Sequence, residues 1–286
     1  MSAVMLPANR PTEFRFEPAD HAAISAFAYD AAGILLPPGK MQLVYGRLAP
    51  RVRARGLTRF ADYVALIDQD DAERTRALDA LTTNHTSFFR EAHHYDHFID
   101  QAWPALDQRL ATRGKVRIWS AACSSGEEPY SLLMAMFGNE RGNGQRLART
   151  DLRVLGTDLS TEILDAARAG RYSLETAASI PPMLRGLWTT RVGDSVEVHP
   201  LVRERVAFRK LNLLEAWPMR GLFDAIFCRN VMIYFDEATK ERLQTRLADH
   251  LVPGGFLYIG HSERLAATVA PRFTCVGRTT FQKVAS

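Results

Sequence analysis

The sequence predicts an α/β fold: a Rossmann-like sheet with a small inserted β subdomain, preceded by a small all-helical N-terminal domain. Three observations predict it. Val116–Tyr130 reads as a strand, a turn of small residues and a helix, the way an open sheet makes a nucleotide-sized crevice. Phe223–Cys228 is a near-continuous apolar run, the mark of a central parallel strand. From Phe14 to about Leu81 the patterns are helical, with no convincing strand.

The chain has 286 residues, 47% hydrophobic and 24% charged. That is an ordinary globular balance, with room for one large α/β domain and a smaller partner. No apolar run approaches the roughly 18 residues of a membrane span, and the opening M-S-A-V-M-L-P-A-N-R lacks the features of a signal peptide. A cytoplasmic protein without direct membrane insertion is expected. Cys123, Cys228 and Cys275 lack C-x-x-C spacing and read as small core residues in a reducing compartment. The net charge of +4 is mildly basic and does not by itself imply nucleic acid.

Residues 1–12 read as a disordered leader. Pro18-Ala19-Asp20 opens a helix that Gly33 ends, and Pro37-Pro38-Gly39 is a hard break. Further helices are expected over Met41–Arg55, Thr58–Ile67 and Asp71–Leu81. Between Lys40 and Phe60 there are basic residues and no acidic one; Arg47, Arg51 and Arg55 recur at i, i+4 and i+8, with Arg59 beyond them. This is either a solvated face or a docking surface for an acidic partner. Pro50 predicts a kink or split there. In Leu81–Glu91 the polar residues Asn84, Thr86 and Arg90 flank Phe88-Phe89, and Thr86 or Ser87 is the expected N-cap of a helix. His85, His93, His94 and His97 have no partners at zinc-like spacing and read as surface histidines, so no metal is expected.

In the opening strand–turn–helix unit, Glu127 and Glu128 follow Gly126. Neither a dinucleotide glycine motif nor a phosphate-binding loop is present. Two carboxylates are poor hosts for a pyrophosphate and better hosts for a cation carrying an ammonium and a sulfonium. Gly138–Gln145 is expected to be a flexible loop. Leu152–Leu159 is a second strand with Asp158 near its end, where an acidic side chain accepts hydrogen bonds from ribose hydroxyls or caps the helix Thr161–Gly170. The βα rhythm then breaks at about 180–205, where Ser195–His199 alternates like one strand of an exposed hairpin. Val206–Phe208 returns to the main sheet, and Asn212-Leu213 could hold a base edge. Arg229 and Asn230 close the central strand and face the crevice; Tyr234 follows in an apolar run. Asp236 caps a helix to about Leu251, Pro253-Gly254-Gly255 turns into the strand Phe256–Ile259, and a final hairpin pairs Phe273–Val276 with Thr279–Lys283.

Together, T-N-H-T-S-F-F-R-E (Thr83–Glu91), W-S-A-A-C-S-S-G-E-E-P-Y-S (Trp119–Ser131), F-C-R-N-V-M-I-Y-F (Phe227–Phe235) and G-H-S-E (Gly260–Glu263) make the whole chain resemble the chemotaxis receptor methyltransferases, the CheR family. The resemblance implies an S-adenosylmethionine-dependent methyltransferase sheet. It implies methyl transfer to glutamate side chains of methyl-accepting chemoreceptors, giving glutamyl methyl esters and S-adenosyl-L-homocysteine. The domains it suggests are 12–82 (helical, receptor recognition), a linker 83–112 that contributes to the cofactor site, and a methyltransferase domain 113–286. Carried over by position, Asn84, Thr86 and Arg90 close over the cofactor and Glu127 binds its ammonium. Asp158 binds the ribose, and Asn212, Leu213, Arg229 and Asn230 contact the adenosine and methionine parts. Arg90 and Tyr234 sit nearest the transferring methyl.

The partner implied is the cytoplasmic helical bundle of a chemoreceptor, reached through Arg47, Arg51, Arg55 and Arg59, by a monomer. Members that tether to a receptor's C-terminal pentapeptide show R-G-x-G in the insertion; Arg185-Gly186-Leu187-Trp188 and Arg191-Val192-Gly193-Asp194 do not match it, so tethering is not expected. Two other readings stand beside this one. A nucleic-acid methyltransferase would carry N-P-P-Y or a similar cup after the fourth strand, where this chain has Asn230-Val231-Met232-Ile233-Tyr234. A non-catalytic cofactor-binding docking module would be free to lose Asn84, Arg90, Asp158 and Tyr234.

Overall fold

The computed structural model describes residues 13–82 and 84–285; the expected leader, 1–12, lies outside the described residues. The chain forms two compact units, Met1–Thr82 and Thr83–Ser286.

The first unit is built from helices Pro18–Ala32, Met41–Ala54, Phe60–Gln69 and Asp71–Leu81. Their apolar stripes supply a core that includes Ile24, Phe27, Val44, Leu48, Val52, Tyr63, Ile67 and Leu81. Glu17 and Asp20 close a reciprocal capping box on the first helix, and Gly33 ends it in the left-handed region. Of the expected kink or split at Pro50, the split does not occur: the helix runs from Met41 to Ala54 through the proline. The proline removes one backbone donor, and burial of Val44, Leu48, Ala49 and Val52 along the same helix holds the turn together.

The arginine repeat is not an uncompensated basic stripe. Glu73 is fully buried and accepts from Arg51 Nη2 (2.6 Å), Arg55 Nε (2.7 Å) and Tyr63 Oη (2.8 Å). Arg55 also reaches Asp70, Arg59 pairs with Asp62, and Arg47 donates to the Leu81 carbonyl. Residues 13–82 hold nine basic and ten acidic side chains, so the unit carries no basic excess. The stretch 40–60 looked basic because its carboxylate partners lie outside it, Glu13 before and Asp62, Asp70 and Glu73 after.

The second unit carries β1 (Lys115–Ala121), β2 (Asp151–Asp158), β3 (Arg171–Ser173), β4 (Thr189–Val192), β5 (Ser195–Val198), β6 (Val206–Lys210), β7 (Phe223–Cys228), β8 (Leu251–Ile259), β9 (Phe273–Gly277) and β10 (Thr280–Lys283). The main sheet runs β6-β2-β1-β7-β8-β10-β9, parallel from β6 to β8, with β10 antiparallel to β8 and to β9. From β1 the chain winds outward through β2 to β6, then returns to β7 on β1's other side. The switch point therefore lies between the carboxyl ends of β1 and β7, where open α/β sheets bind ligands. All six residues of β7 are buried, as its apolar run predicts.

Several local expectations change. The insertion is a three-stranded sheet, β3-β5-β4, because Arg171–Ser173 adds to the hairpin. Gly138–Gln145 is not a loop: helix Arg141–Leu147 occupies most of it, and Asn143 Nδ2 donates to the Phe137 carbonyl at 3.0 Å. Its Gly144 is there for close packing, since an added Cβ would come within 2.3 Å of the Trp188 ring. Pro253-Gly254-Gly255 lies inside β8, where the register with β7 shifts, instead of preceding the strand. Thr86 and Ser87 cap no helix. The next one starts at His93, because Phe89 and Glu91 take left-handed φ values of 54° and 56°. Cys123 and Cys228 are buried as expected, whereas Cys275 is exposed. His94 is fully buried and is no surface histidine; its Nε2 lies 2.9 Å from Thr279 Oγ1.

Candidate active site

The site is assembled at the carboxyl ends of β1, β2, β7 and β8. After β1 the backbone turns through Ala122 (φ 59°), Ser124 (φ 51°) and Gly126 (φ 92°). Left-handed geometry at a residue other than glycine costs roughly 1–3 kcal/mol, so something must hold it. Asp158, at the end of β2, does so: Oδ2 accepts from Ser124 N at 2.8 Å and Oδ1 from Ser160 N at 3.1 Å. Burial pushes the Asp158 pKa up, and these backbone N–H groups oppose the rise. Gly126 is obligatory, since besides its φ an added Cβ would meet Ala167 at 3.0 Å and the Tyr172 hydroxyl at 3.2 Å.

Helix Glu127–Phe137 starts here with two buried carboxylates. Glu128 accepts from Ser120 Oγ (2.7 Å) and Arg229 Nη1 (2.9 Å), so it is consumed within the protein. Among the described residues, Ser125 Oγ at 2.7 Å is the one side-chain partner of Glu127, and burial raises its pKa. A buried carboxylate so poorly provided favours an incoming cation.

Arg229, just after β7, has a side chain only 2% exposed. Besides Glu128 it donates to the Arg90 carbonyl and lies 3.4 Å from Glu91 Oε2. Burial would lower the Arg229 pKa, but Tyr95, Glu128 and Glu91 together raise it. The guanidinium is thus a buried junction, and its side chain does not extend into the crevice as a free ligand. Asn230 follows with φ 59°. Its N–H donates to Glu263 Oε2 (3.2 Å), which also takes Gly260 N at 2.6 Å, while Glu263 Oε1 takes Met232 N at 2.8 Å. Glu263, the last residue of G-H-S-E, therefore shapes the exit of β7. Gly260 must be small because an added Cβ would lie 2.7 Å from Asn230 N.

Arg90 is half-buried, with Nη1 on the His85 carbonyl at 2.9 Å. Tyr234 lies in the one-turn helix Met232–Tyr234, and its hydroxyl has no hydrogen-bond partner among the described residues. Asn84 accepts Ser124 Oγ on its carbonyl at 2.8 Å, which ties the entry segment to the turn; Thr86 is half-buried nearby in sequence. Asn212 spends its side chain on its own turn, with Oδ1 on Leu214 N (3.0 Å) and Nδ2 on Glu215 Oε1 (3.0 Å). The carbonyl of buried Leu213 accepts from Trp217 Nε1 and Arg246 Nη1. Glu91, His93 and His94 each place one donor atom within 4.8 Å of the others. A cation there would sit against the Arg229 guanidinium, which already faces Glu91.

Motif reading missed Glu91 and Glu263 as site-shaping residues, and it expected Glu128 to share the cation with Glu127, whereas the structure spends Glu128 on Ser120 and Arg229. The signal available was adjacency to Arg90 for Glu91 and the G-H-S-E motif for Glu263; the partner of each was not visible.

The family model described as "CheR methyltransferase, SAM binding domain" matches residues 84–282, and "CheR methyltransferase, all-alpha domain" matches 19–82. The chain belongs to the CheR methyltransferase family. Curated relatives agree along nearly the whole length. A probable chemotaxis protein methyltransferase of Rhizobium etli is 41% identical, covering 89% of this chain and 96% of the relative. Chemotaxis protein methyltransferases of Klebsiella aerogenes (40% identical; 90% and 87% covered) and Escherichia coli (38%; 90% and 88%) follow. As a CheR-family chain, the protein uses S-adenosylmethionine to methylate in chemotaxis. Among the described residues no helix is long and apolar enough to cross a membrane.

Proposed function

We propose that the protein is a protein-glutamate O-methyltransferase that esterifies side-chain carboxylates on the cytoplasmic helical bundle of chemoreceptors. The observation that carries this reading is the division of labour between two adjacent carboxylates. Glu128 is spent on Arg229, and Glu127 is buried with a single hydrogen bond. Glu127 then holds the ammonium end of the cofactor, and the remaining lone pairs of Asp158 take the ribose hydroxyls. Asn84, Thr86 and Arg90 cover the cofactor from the entry segment. Asn212, Leu213 and Asn230 line it, chiefly through backbone where their side chains are already engaged. Arg229 contributes by holding Glu128 and the Arg90 carbonyl.

S-adenosylmethionine supplies an electrophilic methyl group on a sulfonium. The acceptor glutamate has an unperturbed pKa near 4.3, so it arrives ionised and needs no general base. What the protein must supply is alignment and exclusion of water, and orientation alone contributes roughly 7–11 kcal/mol. The Arg90 guanidinium suits the orientation of a carboxylate, and the unpartnered Tyr234 hydroxyl suits the donor side. Docking of the receptor is assigned to the helical unit. Of Arg47, Arg51, Arg55 and Arg59, the last is the most open to an acidic helix: it is paired with Asp62, yet its side chain remains 57% exposed, whereas Arg51 and Arg55 are drawn onto Glu73.

The test is incubation with methyl-labelled S-adenosylmethionine and chemoreceptor cytoplasmic fragments, followed by base. Label released as volatile methanol supports the ester. Base-stable label on RNA supports the nucleic-acid reading, and cofactor binding without transfer supports a docking module.

A further inference from the structure

Glu91 is a carboxylate at the site to which no part in the reaction has been assigned, and it draws several elements together. Oε1 lies 2.9 Å from His261 Nδ1, and accepts from His261 N at 3.3 Å and Asn230 Nδ2 at 3.4 Å. Oε2 lies 3.4 Å from Arg229 Nη2, and that same nitrogen donates to the carbonyl of Arg90. One side chain on the entry segment therefore reaches the residues that follow both β7 and β8. The backbone on either side of Arg90 is held in the left-handed region, at Phe89 (φ 54°) and Glu91 (φ 56°). Such geometry persists only where the surroundings over-determine it. On one side the Phe89 N–H donates to Ser131 Oγ at 3.0 Å; on the other the anchor is the Glu91 carboxylate. Burial would raise the carboxyl pKa, but hydrogen bonds from His261 and the charge of Arg229 outweigh it and bring the value down to about 2.

We propose that Glu91 is a positioning residue for methyl transfer: by clamping the entry segment to the ends of β7 and β8, it gives the Arg90 guanidinium a single pose toward the acceptor carboxylate. This rests on the reading of Arg90 as the group that orients the acceptor. Glu91 itself touches neither acceptor nor cofactor; it acts through Arg90. Glutamine in its place keeps the size and the acceptor oxygen but loses the charge that faces Arg229 and His261.

The test is a double-mutant cycle in the full-length protein with Glu91→Gln, Arg90→Lys and the pair, using methyl-labelled S-adenosylmethionine and chemoreceptor cytoplasmic fragments. Glu91→Gln should lower kcat by about 100-fold, the scale of a misplaced reacting group, while cofactor Kd stays within about threefold. In the Arg90→Lys background the same change should cost almost nothing more. Losses that multiply, or an unchanged kcat, overturn the proposal. If Glu91→Gln fails to fold, His261→Asn removes one partner from the half-exposed end and carries the same cycle. Label that proves base-stable sinks the ester reading, but the cycle then runs on whichever acceptor is labelled. If no acceptor is labelled, amide exchange decides: Phe89 and Arg90 should exchange faster in Glu91→Gln, and identical protection contradicts the clamp.

Discussion

Glu127 and Glu128 stand side by side in sequence at the start of one helix, and their surroundings assign them different work. Glu128 completes a buried pair with Arg229, while Glu127 waits with one hydroxyl for company. Loss of a charged hydrogen-bond partner costs roughly 1.5–3 kcal/mol, or about 10- to 100-fold in affinity. Glu127→Gln and Asp158→Ala should each weaken S-adenosylmethionine binding by that factor in calorimetry. Tyr234→Phe should leave affinity within about threefold and slow transfer by about tenfold or more. Equal cofactor affinity in Asp158→Ala and the parent would refute the ribose assignment. Local pattern places Glu127 at a helix start and Asp158 at a strand end, and the structure has them there. It could not show that Arg229 faces inward to two carboxylates, since Glu91, Glu128 and Arg229 meet only through the fold.

At the scale of elements, the helical unit shows how a charge pattern along one segment misleads. Arg51 and Arg55 share a helix face, as their spacing predicts, but that face closes over Glu73 from the helix Asp71–Leu81. Removing one partner of a buried ion pair is strongly destabilising, about 3–5 kcal/mol. Glu73→Ala should lower the unfolding midpoint of the helical unit accordingly in denaturant titration. The pH dependence has a definite sign. Burial would raise the Glu73 pKa, but hydrogen bonds from Arg51, Tyr63 and Arg55 bring it down to about 2 from its ordinary 4.5. A depressed carboxylate stabilises the fold fully above its unfolded value, and the contribution fades as pH falls from about 4.5 toward 2. Acid unfolding followed by circular dichroism should be steeper in the parent than in Glu73→Gln across that window. Elements with strong periodic patterns, such as β1, β7 and the helix Glu237–Asp249 with its Asp236 cap, were legible in the sequence. Helix Arg141–Leu147 was not, because Gly142 and Gly144 read locally as loop residues, while Gly144 serves close packing against Trp188.

At the scale of the whole molecule, the parallel order β6-β2-β1-β7-β8 reverses its direction of winding after β6, and the antiparallel β10 and β9 extend it. It leaves the crevice where β1 and β7 part. Everything proposed for the reaction depends on the acceptor at that crevice being a carboxylate, which arrives already charged and asks for orientation instead of deprotonation. Peptide mapping by tandem mass spectrometry of receptor fragments methylated by the intact protein tests this most directly. The account predicts the new methyl on glutamate side-chain oxygens of the receptor helices, and its disappearance with Arg90→Ala. A methyl found on a lysine or arginine nitrogen, or on nucleic acid with none on the receptor, would contradict it.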